Sequence, residues 1–175
     1  MQALNKKIIL GVDPGLAHLG YGVIQQSGHE CSFITAGTLS PPSTLSIEKK
    51  LSFLFNGLEK IITLYQPNMM ALEKIFYHRN AGVAMTLGQA RGVAIILAGQ
   101  YNIELLEIGA RQAKKNITGS GQADKTQMAD MVKMLLPKAN PTTDHESDAL
   151  GLALSIIQDQ EKNWLKQAVL TKNDN

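Results

Sequence analysis

The first forty positions of the chain divide into apolar runs separated by turn-forming residues. Residues 6–13, 20–26 and 31–39 form these runs; Gly28 separates the last two, and Pro41 and Pro42 follow the third. Apolar runs of this length bounded by glycine and proline indicate β-strands. The chain therefore begins with three predicted strands in an antiparallel meander.

Helical spacing begins next, with apolar positions every third or fourth residue between Ile47 and Tyr65 and Pro67 just beyond them. A strand at 69–76, a second helix at 81–100 rich in small residues, and a strand at 103–108 follow. Helices are predicted at 110–115, at 124–136 and from 145 to about 166, with a loop at Gly119-Ser120-Gly121 between the first two. The order βββαβαβ with trailing helices predicts an α/β protein with a mixed central sheet flanked by helices.

Composition supports a single globular domain, because 44% of the 175 residues are apolar and 18% are charged. We expect this domain over residues 1–170 and a frayed tail at 171–175. Cys31 is the only cysteine, which excludes an intrachain disulfide and a thiolate zinc cluster and favours a reducing compartment, the cytoplasm. The apolar stretch at 8–12 is too short for a signal sequence, and we expect no segment to span a membrane.

Positive charge is concentrated in one segment, although the net charge is only +2. Residues 110–138 contain six basic residues against two aspartates, a local excess of four. The basic residues are Arg111, Lys114, Lys115, Lys125, Lys133 and Lys138. Charge alone does not separate a nucleic-acid surface from an ordinary solvated helix face.

Two acidic residues stand at unusual places in the predicted strands. Asp13 ends the first strand immediately before Pro14-Gly15, where a turn leaves its carboxylate at the sheet edge. Glu73 interrupts an otherwise apolar strand. An Asx-turn at Asp13 and a buried ion pair at Glu73 are the structural alternatives, whereas two carboxylates on neighbouring central strands favour a shared ligand.

The start of the last predicted helix supplies a third acidic group. Thr143 and Glu146 fit a capping box, with Thr143 as N-cap and Glu146 reaching back to its amide. His145 and Asp148 are three residues apart and share a helix face, and Asp144 and Asp148 at four apart also do, so spacing leaves the partner of Asp148 open.

Carboxylates in this arrangement are ligands for Mg²⁺, with Mn²⁺ as a substitute, because hard cations select oxygen ligands. Two such ions about 3.5 to 4 Å apart stabilise the attacking and leaving oxygens of a phosphoryl displacement. The expected chemistry is phosphodiester hydrolysis.

Four motifs in order, from about residue 7 to 158, resemble those of RuvC Holliday junction resolvases. They are Ile9-Leu10-Gly11-Val12-Asp13-Pro14-Gly15 with Gly20-Tyr21-Gly22-Val23, Leu72-Glu73-Lys74-Ile75-Phe76, Leu87-Gly88-Gln89-Ala90-Arg91-Gly92, and Asp148-Ala149-Leu150. The resemblance implies an RNase H-like fold and a homodimer that nicks two opposed strands of a four-way junction, leaving 5′-phosphate and 3′-hydroxyl ends. Asp13, Glu73 and Asp148 match the family's metal-binding acids, and His145 takes the fourth position, as a metal ligand or as a proton-transfer group.

The same resemblance assigns DNA contacts and partners. Lys114 and Lys125 match basic positions near the scissile backbone, Arg111 lies in the same basic segment, and Phe76 matches an aromatic that contacts bases at the crossover. Part of the small-residue helix at 81–100 matches the dimer contact. The resemblance also implies docking on a branch-migration complex of RuvA and RuvB.

Three other functions are alternatives for this sequence. The segment from Gly119 to Thr126 nearly spells a nucleotide-binding P-loop, but Asp124 stands where a second glycine is needed. An actin-like nucleotide-binding module also has an aspartate after its first strand, yet it requires a second lobe for which this chain has no room. A protein that binds junctions without cutting them is the third alternative, if His145 spoils the metal site.

Overall fold

The computed structural model describes residues 6–74 and 81–173, with side chains described as far as residue 159. Within this part of the chain, five strands form one sheet in the order β3-β2-β1-β4-β5. The pairs β1–β2 and β2–β3 are antiparallel, whereas β4 runs parallel to both β1 and β5. The predicted meander and mixed sheet are therefore confirmed. The strands are β1 (Lys6–Asp13), β2 (Leu19–Ser27), β3 (Glu30–Leu39), β4 (Met69–Glu73) and β5 (Glu104–Ile108).

Helices cover both faces of the sheet, because successive side chains of each central strand point to opposite sides. On one face Leu10 of β1 packs in a core with two helices, and on the other Ile9 packs in a core with three. The first pair is α1 (Ile47–Tyr65) and α2 (Ala81–Gln100), and the second group is α3 (Ala110–Thr118), α4 (Lys125–Leu135) and α5 (Asp144–Asn173).

Element boundaries depart from prediction in several elements. Helix α5 extends to Asn173, past the predicted end near residue 166, and α3 extends to Thr118. Helix α4 begins at Lys125 because the side chain of Asp124 caps it, accepting from the amide of Gln127 at 2.8 Å. Strand β4 ends at Glu73, and the last residues of the strand predicted to residue 76 lie outside the described residues.

No segment was expected to approach the length that spans a bilayer, but one helix of the described residues is long and apolar enough by length and composition alone. Helix α2 has 20 residues, and its most apolar window has a mean hydropathy of 1.4 and is 28% buried. Core helices of ordinary domains meet the same criterion. One side of α2 packs in the core through Ala90, Ala94 and Leu97, whereas Met85 and Ile96 are exposed.

Glycines in β1 and β2 allow α5 to lie unusually close to the sheet. A Cβ on Gly11 would clash with the backbone of Ala149, and one on Gly20 would stand 2.6 Å from the carbonyl carbon of His145. Glycine inside a strand commonly marks such a close backbone approach. This contact brings the first turns of α5 to the end of β1.

Candidate active site

Three carboxylates from separate parts of the chain line one cavity of 130 Å³. Asp13 is the last residue of β1 and Glu73 is the last residue of β4. These strands are parallel neighbours, so their carboxyl ends meet at the same sheet edge. Asp148 joins them from α5, and Lys114 and Lys125 also line the cavity. The predicted grouping of Asp13, Glu73 and Asp148 is thus present as a shared cavity.

Repulsion between these carboxylates appears in their pKa values. Burial, followed by the charges of Asp13 and Asp148, raises the pKa of Glu73, and Lys114 acts in the opposite direction. Burial and the charge of Asp13 raise the pKa of Asp148, opposed by Lys125. The charges of Asp13 and Asp148 therefore make ionisation of Glu73 less favourable, and the charge of Asp13 does the same to Asp148.

A closed metal cage is not formed. Among the side chains described, those of residues 6–74 and 81–159, no group of three or more His, Cys, Asp or Glu is arranged so that it could hold a metal ion. Magnesium sites commonly use one or two carboxylates and complete the octahedron with water and substrate phosphate oxygens. Three carboxylates that line one small cavity are a donor set that fits a hard divalent cation of this kind.

The start of α5 is fixed by its polar residues. The amide of Glu146 donates to Thr143 Oγ1 at 3.2 Å, as predicted for the N-cap. The Glu146 carboxylate, however, accepts from the amide of Thr142 at 2.7 Å, one residue before the position predicted for a capping box. Thr38 of β3 contacts both Thr143 and Glu146, which ties the helix start to the sheet. Glu146 therefore has the structural role predicted for it.

His145 lies against Asp13, with 2.7 Å between its Nδ1 and Asp13 Oδ2. It lines a neighbouring recess of 500 Å³ between the turn after β1 and the start of α2. The ring of His18 lies 5.6 Å away, centroid to centroid, and His18 Nδ1 is 2.9 Å from Ser40 Oγ. Sequence analysis missed His18 and Ser40, because no spacing or motif marks either residue.

Asp144, the other candidate partner of Asp148, points elsewhere. Its Oδ2 is 3.0 Å from Lys125 Nζ, and both side chains are largely exposed. The two candidates therefore differ in position: His145 contacts the carboxylate of Asp13, whereas Asp144 forms a surface ion pair with Lys125.

The predicted DNA-binding residues occupy two surfaces. Lys114 and Lys125 line the acidic cavity. Arg111 lies in a wider groove of 1380 Å³, which Glu73 and Lys115 also line. Phe76 lies outside the described residues. The two cavities share Glu73, so the basic side chains flank the acidic group on both sides.

Arg91 is a further residue whose role sequence analysis missed, although it stands within one of the recognised motifs. Its Nε donates to the main-chain oxygen of Glu73 at 3.2 Å, and its guanidinium forms an ion pair with Glu107. An arginine on an apolar helix is the signal that could have identified it, because a buried charge needs partners.

The fold and the cavity together define a class of protein. Two acidic groups lie at the ends of adjacent parallel strands, a third comes from a packed helix, and lysines flank all three. Such a group is suited to metal-assisted cleavage of a phosphodiester. The arrangement is that of a nuclease.

Comparison with known proteins identifies the family. The model for crossover junction endodeoxyribonuclease RuvC matches residues 9–156. Proteins of that name from Rhodopseudomonas palustris (strain BisA53) and Alkaliphilus oremlandii (strain OhILAs) are each 40% identical, over 147 and 148 residues; the matches cover 84% of this chain and 84% and 90% of theirs. The structure of T. thermophilus RuvC in complex with a Holliday junction substrate superposes with a TM-score of 0.80 at 25% identity, covering 85% of this chain and 92% of that one. The chain belongs to the RuvC family of crossover junction endodeoxyribonucleases, which confirms the predicted family and its RNase H-like fold.

Proposed function

We propose that this chain resolves four-way DNA junctions by paired, symmetrical nicks, with Asp13, Glu73 and Asp148 at the centre of each active site. The observation that carries the proposal is the single cavity shared by these three carboxylates and Lys114. Membership of the RuvC family and the likeness to a relative solved with a Holliday junction support junction DNA as the substrate. Recombination and DNA repair are the processes in which such a nuclease acts.

Asp13, Glu73 and Asp148 would hold the divalent cations, Mg²⁺ or Mn²⁺, two in each site. When bound, the cations activate water and stabilise the attacking and leaving oxygens of the displacement. His145 keeps the Asp13 carboxylate in place through the 2.7 Å contact at Nδ1. This positioning role accounts for the histidine without requiring it to be a metal ligand itself.

The reaction is hydrolysis of one phosphodiester in each of two opposed strands. A water oxygen bonds to phosphorus, the bond from phosphorus to the 3′-oxygen breaks, and a proton is transferred to that oxygen. The products are a 5′-phosphate and a 3′-hydroxyl. Lys114 beside the carboxylates neutralises the phosphate as its charge develops.

The flanking basic residues position the DNA backbone without reading sequence. Lys114 and Lys125 line the acidic cavity, and Arg111 would contact the strand that follows the wider groove. Lys125 exchanges its partner on binding, because its ammonium is paired with Asp144 and would transfer to a phosphate. Phe76 is proposed to contact bases at the crossover by family resemblance.

A homodimer matches the two-fold symmetry of the junction and presents two sites to it. We propose that the exposed side of α2 forms the dimer contact. An added Cβ at Gly88 or Gly92 would meet nothing within 4 Å, and Met85 and Ile96 are exposed on the same side. Action in the cytoplasm is a further expectation from the single cysteine, and docking on RuvA and RuvB is one from family resemblance.

A synthetic four-way junction tests the central proposal. Wild-type protein is expected to make paired nicks with Mg²⁺ and to bind without nicking in EDTA. Asp13→Asn is expected to keep junction binding and to lose cleavage, because binding depends on the basic surface and cleavage on the carboxylates. Unimpaired nicking by Asp13→Asn would refute the catalytic assignment. Binding without nicks by the wild type in both Mg²⁺ and Mn²⁺ would instead identify a junction-binding protein.

A further inference from the structure

The end of β4 is held by an unusual side-chain contact. Glu73 is the last residue of the strand, and the next amide, that of Lys74, donates to the oxygen of Ile108 at 2.9 Å. The oxygen of Glu73 accepts from Arg91 Nε on α2 at 3.2 Å. The main-chain oxygen of Glu73 is therefore bonded by a side chain of α2, that of Arg91.

Arg91 is itself held in position. Its guanidinium forms an ion pair with Glu107, and its side chain is only 15% exposed. Glu107 lies on β5 beside Leu72 in the parallel register, one residue before the partner of Glu73. Because the guanidinium is planar and presents several donors in a fixed arrangement, it can contact both groups at once. The side chain therefore joins α2, β4 and β5 at the edge of the active site.

The carboxylate of Glu73 needs such support. It is partly buried and faces the charges of Asp13 and Asp148, both of which oppose its ionisation. Lys114 favours the ionised form of the Glu73 side chain. Arg91 contacts the main chain of Glu73 instead.

We propose that Arg91 is a positioning residue that fixes the last residue of β4, so that the Glu73 carboxylate stays at the cavity with Asp13 and Asp148. The inference rests on the proposed function, because it assumes that Glu73 serves cleavage. Arg91 lies beneath the strand end and acts through the main chain, so it is not assigned a contact with substrate.

Three variants separate the two contacts of Arg91. Arg91→Ala removes both, Arg91→Lys keeps a positive charge for Glu107 but lacks the planar group that reaches two partners, and Glu107→Gln keeps an acceptor for the guanidinium. Tyr101→Phe is the control, because it removes another bond that ties the α2 region, from Tyr101 Oη to Glu59 at 3.0 Å, far from Glu73 in the fold. All four are measured for kcat, KM, junction affinity in EDTA, thermal unfolding and hydrogen exchange.

Both Arg91 variants are expected to lower kcat about 10- to 100-fold, the usual cost of losing a residue that orients a metal ligand. Junction affinity in EDTA is expected to stay at the wild-type value, and the concentration of Mg²⁺ at half-maximal cleavage is expected to rise. Hydrogen exchange of residues 69–74 should increase while exchange in β1 and β2 does not. Glu107→Gln should lose much less activity, and Tyr101→Phe should match the wild type.

Wild-type kcat in Arg91→Lys, or exchange that increases equally in all strands, would overturn the positioning role. If Arg91→Ala fails to fold, Arg91→Lys and Glu107→Gln still decide between the two results. Failure of the proposed function has a different outcome: the wild type itself would not nick, while exchange at residues 69–74 would still report whether Arg91 fixes β4.

Discussion

The close approach of α5 to β2 makes a single methyl group a sharp test of the site. In Gly20→Ala, the new Cβ would stand 2.6 Å from the carbonyl carbon of His145 and closer still to its oxygen. Ordinary contact begins at 3.4 Å and the carbonyl oxygen of His145 would be only 2.2 Å away, so the helix start must retreat by about 1.2 Å (3.4 minus 2.2). The atoms in the way are mainly backbone, so a rotamer change does not relieve the clash.

This retreat moves His145 and Asp148 away from Asp13. A displacement near 1 Å in a catalytic constellation costs on the order of 100-fold in rate. Overpacking costs about 1 to 3 kcal/mol of folding free energy, which a domain of this size tolerates. We therefore expect a folded protein that binds junctions in EDTA but nicks them about 100-fold more slowly.

Gly22→Ala is the matched control on the same strand. Its Cβ would meet Cδ2 and Cγ of Leu150 at 2.7 and 2.8 Å, which a change of the Leu150 rotamer can move, and the Leu150 amide nitrogen at 3.0 Å, a milder backbone contact than the one at Gly20. The assay is single-turnover nicking of a labelled four-way junction, with chemical denaturation for stability. If Gly20→Ala nicks at the wild-type rate, or if both variants lose activity only in proportion to stability, the argument from helix placement is wrong.

Three further outcomes are expected. In EDTA, the melting temperature should fall as pH rises from the ordinary carboxyl range through the raised pKa values of Glu73 and Asp148, because the folded state holds their protons to higher pH than the unfolded state does. Glu73→Gln should weaken this fall, and a pH profile unchanged by the substitution would contradict the reasoning. Lys114→Ala should reduce the slope of log affinity against log salt by about 0.9, measured by junction titration, and an unchanged slope would remove Lys114 from the DNA surface. Gly92→Glu should give a folded monomer in light scattering, because space around Gly92 is open; a persistent dimer would place the interface elsewhere.

Much of the fold could be predicted because periodicity reports local structure directly. The strand of Asp13 and the helix from Ile47 to Tyr65 have strong, uninterrupted patterns, and both were found. Asp13 and Glu73 were found because a charge at the end of an apolar strand conflicts with its surroundings. Such conflicts are visible without knowing the tertiary structure.

The partners of these residues were less accessible. His145 and Asp13 are 132 positions apart, and only the packing of α5 on β1 brings them together. Arg91 gave no indication that it would reach Glu73, because helical spacing does not say which strand a helix side chain meets. The apolar character of α2 was visible, but periodicity could not show that one side lacks a partner within the described chain.

Helix α2 has two sides with separate tasks. Gly88 and Gly92 lie on its open side, whereas Arg91 between them reaches the end of β4. A second subunit that packs on the open side would contact the same turn of α2 that contains Arg91, the residue proposed to position Glu73. A substitution on the open side of α2 would then affect both the association of subunits and the position of Glu73, so cleavage as well as association limits which residues that surface can accept.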